Sequence, residues 1–184
     1  MVTSVFGDGP EKVPLPFGGF CLEAMDAHGG WVASAVDLAR FAAALDDPKQ
    51  SPVLKPETLA QMYALPAPPV SRREDGSRAD HWYGCGWSVR PVGTSGRANY
   101  WHGGSLPGTF TLLVRRSDGL SWAVLFNQRS SDRQLPDSAI DGALHRAADA
   151  VKAWPATDLF ARDRPSADRL SATCAGSRRL HAAR

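Results

Sequence analysis

The chain has 184 residues, 43% of them hydrophobic and 22% charged, with a net charge of +2. That length suits one domain with a real core, and the balance excludes disordered and fibrous classes. The positive surplus lies in residues 156–184, where six Arg stand against three Asp, so no basic face for nucleic acid is expected, and no apolar run approaches a membrane span.

The first twenty residues lack the charged start and apolar block of a signal peptide, and no compartment is assigned. Cys21, Cys85 and Cys174 are an odd, widely spaced set without a C-x-x-C pair. They argue against a disulfide framework and against zinc. No metal or organic cofactor is expected. His28, His81, His145 and His181 have no ligand spacing, and no Gly-rich stretch ends in Gly-Lys-Ser or Gly-Lys-Thr.

Residues 1–30, rich in Gly and Pro, read as irregular. Ser34 then marks a helix start, with Asp37 in the capping-box position and Leu38, Phe41, Ala42 and Leu45 at helical spacing. Asp46-Asp47-Pro48 ends it. A second helix is predicted from Pro56, carrying Leu59, Met62 and Tyr63 inward and stopping at Pro66. Residues 66–81 read as an exposed loop.

Residues 82–92, 98–103, 109–115 and 120–127 then read as strands, rich in aromatic and β-branched residues. The turn Arg116-Ser117-Asp118-Gly119 joins the last two in a hairpin. Tyr83-Gly84-Cys85-Gly86-Trp87 is expected to be strand, with glycines permitting close packing and Cys85 shielded. Trp82, Trp87, Trp101 and Trp122 are expected in the core. Helical spacing returns over 135–154, closed by Pro155. Residues 156–184 carry few large apolar side chains and read as a mobile tail, leaving 1–155 as the domain. This order predicts an α+β fold, an antiparallel sheet with helices packed on it.

The segment His102-Gly103-Gly104-Ser105 is the most informative. Two glycines after a histidine, where a strand is expected to run out, leave main-chain N–H groups bare beside an imidazole. That is half of an acyl-transfer site. Gly103 to Pro107 misses the nucleophile-elbow pattern G-x-S-x-G because Pro107 takes the last glycine position.

Three stretches together carry a family resemblance: residues 29–41 (GGWVASAVDLARF), 83–87 (YGCGW) and 102–108 (HGGSLPG) with the hairpin after it. In this order and spacing the chain resembles the C-terminal part of the serine β-lactamase-related family, which includes class C β-lactamases, DD-peptidases, D-aminopeptidases and esterases. The resemblance covers roughly residues 15 to 155. It implies a partial β-lactamase/DD-peptidase-like fold lacking the N-terminal helix and strands, and acyl transfer from an amide, lactam or ester.

The family builds its site from S-x-x-K, Y-x-N (or Y-x-S) and a late K-T-G or H-x-G. Only the third matches here, as His102-Gly103-Gly104. By that match His102 borders the substrate's carboxylate or leaving group, Gly103 and Gly104 bind substrate, and the Ser105 main-chain N–H is an oxyanion donor. No serine here has a lysine three residues later, and none of Tyr63, Tyr83 and Tyr100 is followed two residues on by Asn or Ser. The resemblance thus implies a chain that starts after the first two motifs and is inactive alone. Such a chain exposes an unpaired sheet edge and is expected to self-associate. The alternative is a non-catalytic module that binds a ligand or a partner protein.

Overall fold

In a computed structural model, residues 1–157 are described except 6–8, 16–17, 22, 69–71, 78, 107 and 129–136. The expected tail lies almost wholly outside the described residues, as do Cys174 and His181. The chain divides into two compact units, Met1–His145 and Arg146–Arg184.

The stretch expected to be irregular holds a small sheet, with β1 (Val2–Thr3) antiparallel to β2 (Lys12–Val13), and a 3-10 segment, Glu23–His28. That segment is kinked at Asp26, a non-glycine residue at φ 42°. The pairing of β1 with β2, Val2 opposite Val13, is not revealed by composition.

Helix α1 spans Ala35–Ala43 and begins as its sequence demands. The Asp37 N–H donates to Ser34 Oγ, and the Ser34 N–H donates to Asp37 Oδ2, both at 3.1 Å. Two orphan donors of the first turn are thereby satisfied. Helix α2, Pro56–Tyr63, has no side-chain cap but starts on proline, whose fixed φ suits the first turn.

Five antiparallel strands follow in the order β3-β4-β5-β6-β7, each beside its sequence neighbour. They are Trp82–Tyr83, Ser88–Val92, Arg97–Leu106, Thr109–Arg115 and Ser121–Phe126. The run expected as one strand over 82–92 is broken: residues 84–87 turn the chain, with Gly86 at φ 80° and the Gly84 N–H donating to the Trp87 carbonyl at 2.8 Å. Cys85 is consequently exposed, not shielded. Strand β5 also outruns its expected end at Gly103, reaching Leu106, because β6 pairs with it all the way to Leu106↔Thr109.

Helix α3, Asp137–Ala150, stops four residues short of its expected end. Its last turn tightens, with the Val151 N–H on the Ala148 carbonyl.

Two apolar clusters sandwich the sheet. On one face α1 and α2 bring Ala42, Leu45 and Leu59 against Trp87 and Leu113. On the other, Phe110, Leu112 and Val114 meet Ile140 and Leu144 of α3, flanked by Trp101 and Trp122. Strand β6 feeds both clusters, which is why its centre, Leu112-Leu113-Val114, is an unbroken apolar run instead of alternating. Each fully buried Leu or Val contributes about 1.5–3 kcal/mol. The architecture is α+β, consistent with a partial β-lactamase-like fold.

Candidate active site

The site grows from the parity of β5. In the turn between β6 and β7 the Arg116 N–H donates to the Leu120 carbonyl. Carried on through the register that begins at Arg115↔Ser121, this sets even-numbered residues of β6 to bond toward β7 and odd-numbered ones toward β5. Through the register, Tyr100, His102, Gly104 and Leu106 are the β5 residues whose main chain bonds β6. Those of Trp101, Gly103 and Ser105 point the other way. Pairing with β4 ends at Ser88↔Trp101. The strand therefore does not run out at the glycines; its neighbour does. Gly103 and Ser105 turn their N–H and C=O groups toward that open side, and no described residue pairs with them there.

Side chains alternate with the same period. Tyr100, His102 and Gly104 lie on the α1/α2 face, and Trp101, Gly103 and Ser105 on the α3 face. The His102 imidazole and the Ser105 hydroxyl are on opposite sides of the sheet, so this histidine is not a base for that hydroxyl. What the two share is the strand edge, to which Ser105 contributes its N–H.

A cleft of about 450 Å³ opens on the α1/α2 face, lined by His102, Thr111, Leu113, Trp87, Met62, Phe41 and Cys85 among others. A second, of about 440 Å³, lies on the α3 face beside Trp101, Gly103, Ser105 and Phe110. The two glycines are not equivalent. A Cβ on Gly104 would stand 2.5 Å from Thr111 Oγ1, whereas one on Gly103 meets nothing closer than 3.6 Å. Only at Gly104 would an added methyl force its neighbour to move.

His102 is exposed, and its Nε2 lies 2.9 Å from the Tyr83 hydroxyl, with the two rings 5.9 Å apart. Composition and spacing single out no role for Tyr83 beyond packing. Deeper in the same face, Arg115 donates from Nη1 to Tyr63 Oη at 3.2 Å. Burial pushes the Tyr63 hydroxyl up, and the Arg115 guanidinium opposes it. Of the four tryptophans expected in the core, Trp87 is fully buried, and Trp82, Trp101 and Trp122 are half-buried. His81 pairs with Asp80 at 2.9 Å, and His145 lies 3.5 Å from Asp141. Among the described residues no three His, Cys, Asp or Glu side chains gather as metal ligands, and no helix is long and apolar enough to cross a membrane.

The protein-family model described as Beta-lactamase matches residues 3–145. The chain belongs to the beta-lactamase family. The match nearly coincides with the first compact unit, Met1–His145, and contains the whole five-stranded sheet. It makes the chain part of a serine hydrolase family. No curated protein matches the chain.

Proposed function

We propose that this chain is the C-terminal portion of a serine hydrolase and forms the sheet wall of its acyl-transfer site. A small-molecule or peptide substrate lies along the open side of β5. His102 meets its carboxylate or leaving group, Gly104 keeps the strand close to β6, and the Ser105 N–H donates to the carbonyl oxygen as charge builds on it. One such donor contributes about 100- to 1,000-fold in rate. The observation that carries this reading is the outward-turned main chain of Gly103 and Ser105, one residue from an exposed imidazole and beside a cleft. Extended ligands bind uncovered strand edges through these groups.

The substrate class is an amide, lactam or ester, and the reading needs neither metal nor organic cofactor. It assigns residues 1–155 to the domain and leaves 156–184 outside it as a tail. Because no serine in the sequence precedes a lysine by three, a polypeptide of this sequence by itself holds acyl ligands without turning them over. The alternative, a non-catalytic binding module, rests on the same strand edge and differs only in lacking any complementing nucleophile.

Assays with a chromogenic β-lactam and a p-nitrophenyl ester are expected to stay at background. Adding a separate N-terminal fragment of a related enzyme, bearing S-x-x-K and Y-x-N, is expected to restore hydrolysis with wild-type chain and not with Ser105→Pro. A stoichiometric acyl adduct on the chain alone, lost in Ser105→Ala, would make Ser105 the nucleophile and overturn the reading. Failure to complement favours the binding module.

A further inference from the structure

We propose that Tyr83 is a positioning residue for His102: its hydroxyl donates to Nε2, fixes the neutral ring as the Nδ1–H tautomer, and leaves that N–H as the donor offered to substrate. The use of the donor rests on the acyl-site reading above, whereas the tautomer does not.

The contact is specific. Tyr83 Oη and His102 Nε2 are 2.9 Å apart, and among the described residues the His102 imidazole has no other hydrogen-bond partner. A phenolic O–H can both donate and accept. A neutral imidazole has one acceptor nitrogen and one N–H, and the better pairing sets the phenol O–H against the ring lone pair. With Nε2 accepting, the proton resides on Nδ1, because the bond made by one ring nitrogen decides the state of the other.

The surroundings hold the hydroxyl in place. Tyr83 is the last residue of β3 and pairs with Ser88. Immediately after it, the Gly84 N–H donates to the Trp87 carbonyl and the Cys85 N–H donates to the Met62 carbonyl, both at 2.8 Å. The first bond closes the turn on itself and the second ties it to the last turn of α2. Gly84 is needed for the second tie, since a Cβ there would collide with the Met62 carbonyl oxygen. Trp87 closes the motif inside the core, 3% exposed. Within Tyr83-Gly84-Cys85-Gly86-Trp87, four residues thus anchor a turn and the fifth projects a half-exposed phenol onto the imidazole. A hydroxyl carried on so constrained a backbone loses little freedom when it bonds, which is the condition for a supporting residue to hold its neighbour's orientation.

The test reads the tautomer directly. Long-range proton–nitrogen correlation spectra of the ¹⁵N-labelled full chain are recorded at pH 8, where free imidazole side chains are neutral. The His102 signals are assigned by their loss in His102→Gln. Wild-type chain is expected to show Nδ1 protonated and Nε2 as the bare, hydrogen-bonded nitrogen. Tyr83→Phe, which keeps the ring and removes only the hydroxyl, is expected to move His102 to a mixture dominated by Nε2–H. A Nε2–H tautomer in the wild type overturns the proposal whatever the variant does. So does an unchanged spectrum in a Tyr83→Phe chain whose melting matches wild type. The Nδ1–H tautomer in a chain that binds no acyl ligand would instead defeat the acyl-site reading and leave the positioning role standing.

Discussion

Arg115 and Asp46, 69 residues apart, are joined twice: Nε donates to Oδ1 at 2.6 Å and Nη2 donates to the Asp46 carbonyl at 2.9 Å. Together with the bond to Tyr63, these contacts tie β6 to the end of α1 and to α2. The guanidinium also sits 4.9 Å from the Tyr100 ring centre. Its side chain is 11% exposed, while that of Asp46 is 34% exposed. Removing one partner of a fully buried pair costs about 3–5 kcal/mol, and partial solvation of Asp46 reduces this. Arg115→Ala is therefore expected to lose about 2–3 kcal/mol in urea unfolding. Arg115→Lys should recover little of it, because a single ammonium cannot make the same set of bonds.

Gly84→Ala is expected to cost about 1–3 kcal/mol, since the new methyl must displace main chain of α2 and not a movable side chain. At the glycine pair of β5 the two substitutions should differ. Gly103→Ala leaves stability within about 0.5 kcal/mol, whereas Gly104→Ala forces Thr111 to rotate and intrudes on the cleft. Thermal melting and ligand binding, measured side by side, check both.

Cys85 and Cys21 offer a chemical test of the turn. Cys85 is exposed at the turn and Cys21 is half-buried, so a neutral thiol reagent should modify Cys85 first. Because Cys85 lines the cleft beside His102, its modification should also weaken acyl-ligand binding. Peptide mapping after limited labelling reads the order.

The helix cap sets a pH dependence. Hydrogen bonds from the Ser34 side chain and main chain hold the Asp37 carboxyl below its ordinary value of 3.8. A carboxylate whose pKa is lower folded than unfolded adds stability that is fully present above the unfolded value and is lost as pH falls through the folded one. The cap's contribution should accordingly be intact at pH 5 and disappear progressively below about pH 3.8. Ser34→Ala should remove part of that acid slope in denaturation curves recorded from pH 3 to 6.

Strand β7 pairs with β6 alone among the described residues, and Ser121–Phe126 contains no charge and no proline. Such an edge lacks the usual guards against pairing with another chain. Concentration-dependent association by sedimentation velocity is expected, and Leu125→Lys, at a 39% exposed position, should shift the equilibrium toward monomer.

The parts legible in the sequence are those decided locally. Ser34 and Asp37 bond within one turn of helix, and Ser117-Asp118-Gly119 bends the chain by its own chemistry, so α1 and the β6–β7 hairpin follow from spacing alone. The extension of β5 through Gly103-Gly104-Ser105 does not, because those residues have weak strand propensity and are held extended by β6. The turn at 84–87 was hidden for the opposite reason. Aromatic residues at both ends suggest strand, and only the anchor at Met62, more than twenty residues away, makes Gly84 and Gly86 bend. At the site, the H-x-G match singles out His102, Gly103, Gly104 and Ser105, while the partner of His102 emerges only when residue 83 is folded against it.

Ser105 offers its N–H, and nineteen of the twenty standard side chains leave that group in place. In a saturation library selected for ligand binding, this position should look permissive, with proline alone purged and the hydroxyl freely discarded. His102, one face over, should tolerate almost nothing. A ranking of positions by how strictly their identity is kept would pass over the residue whose backbone is proposed to meet the substrate.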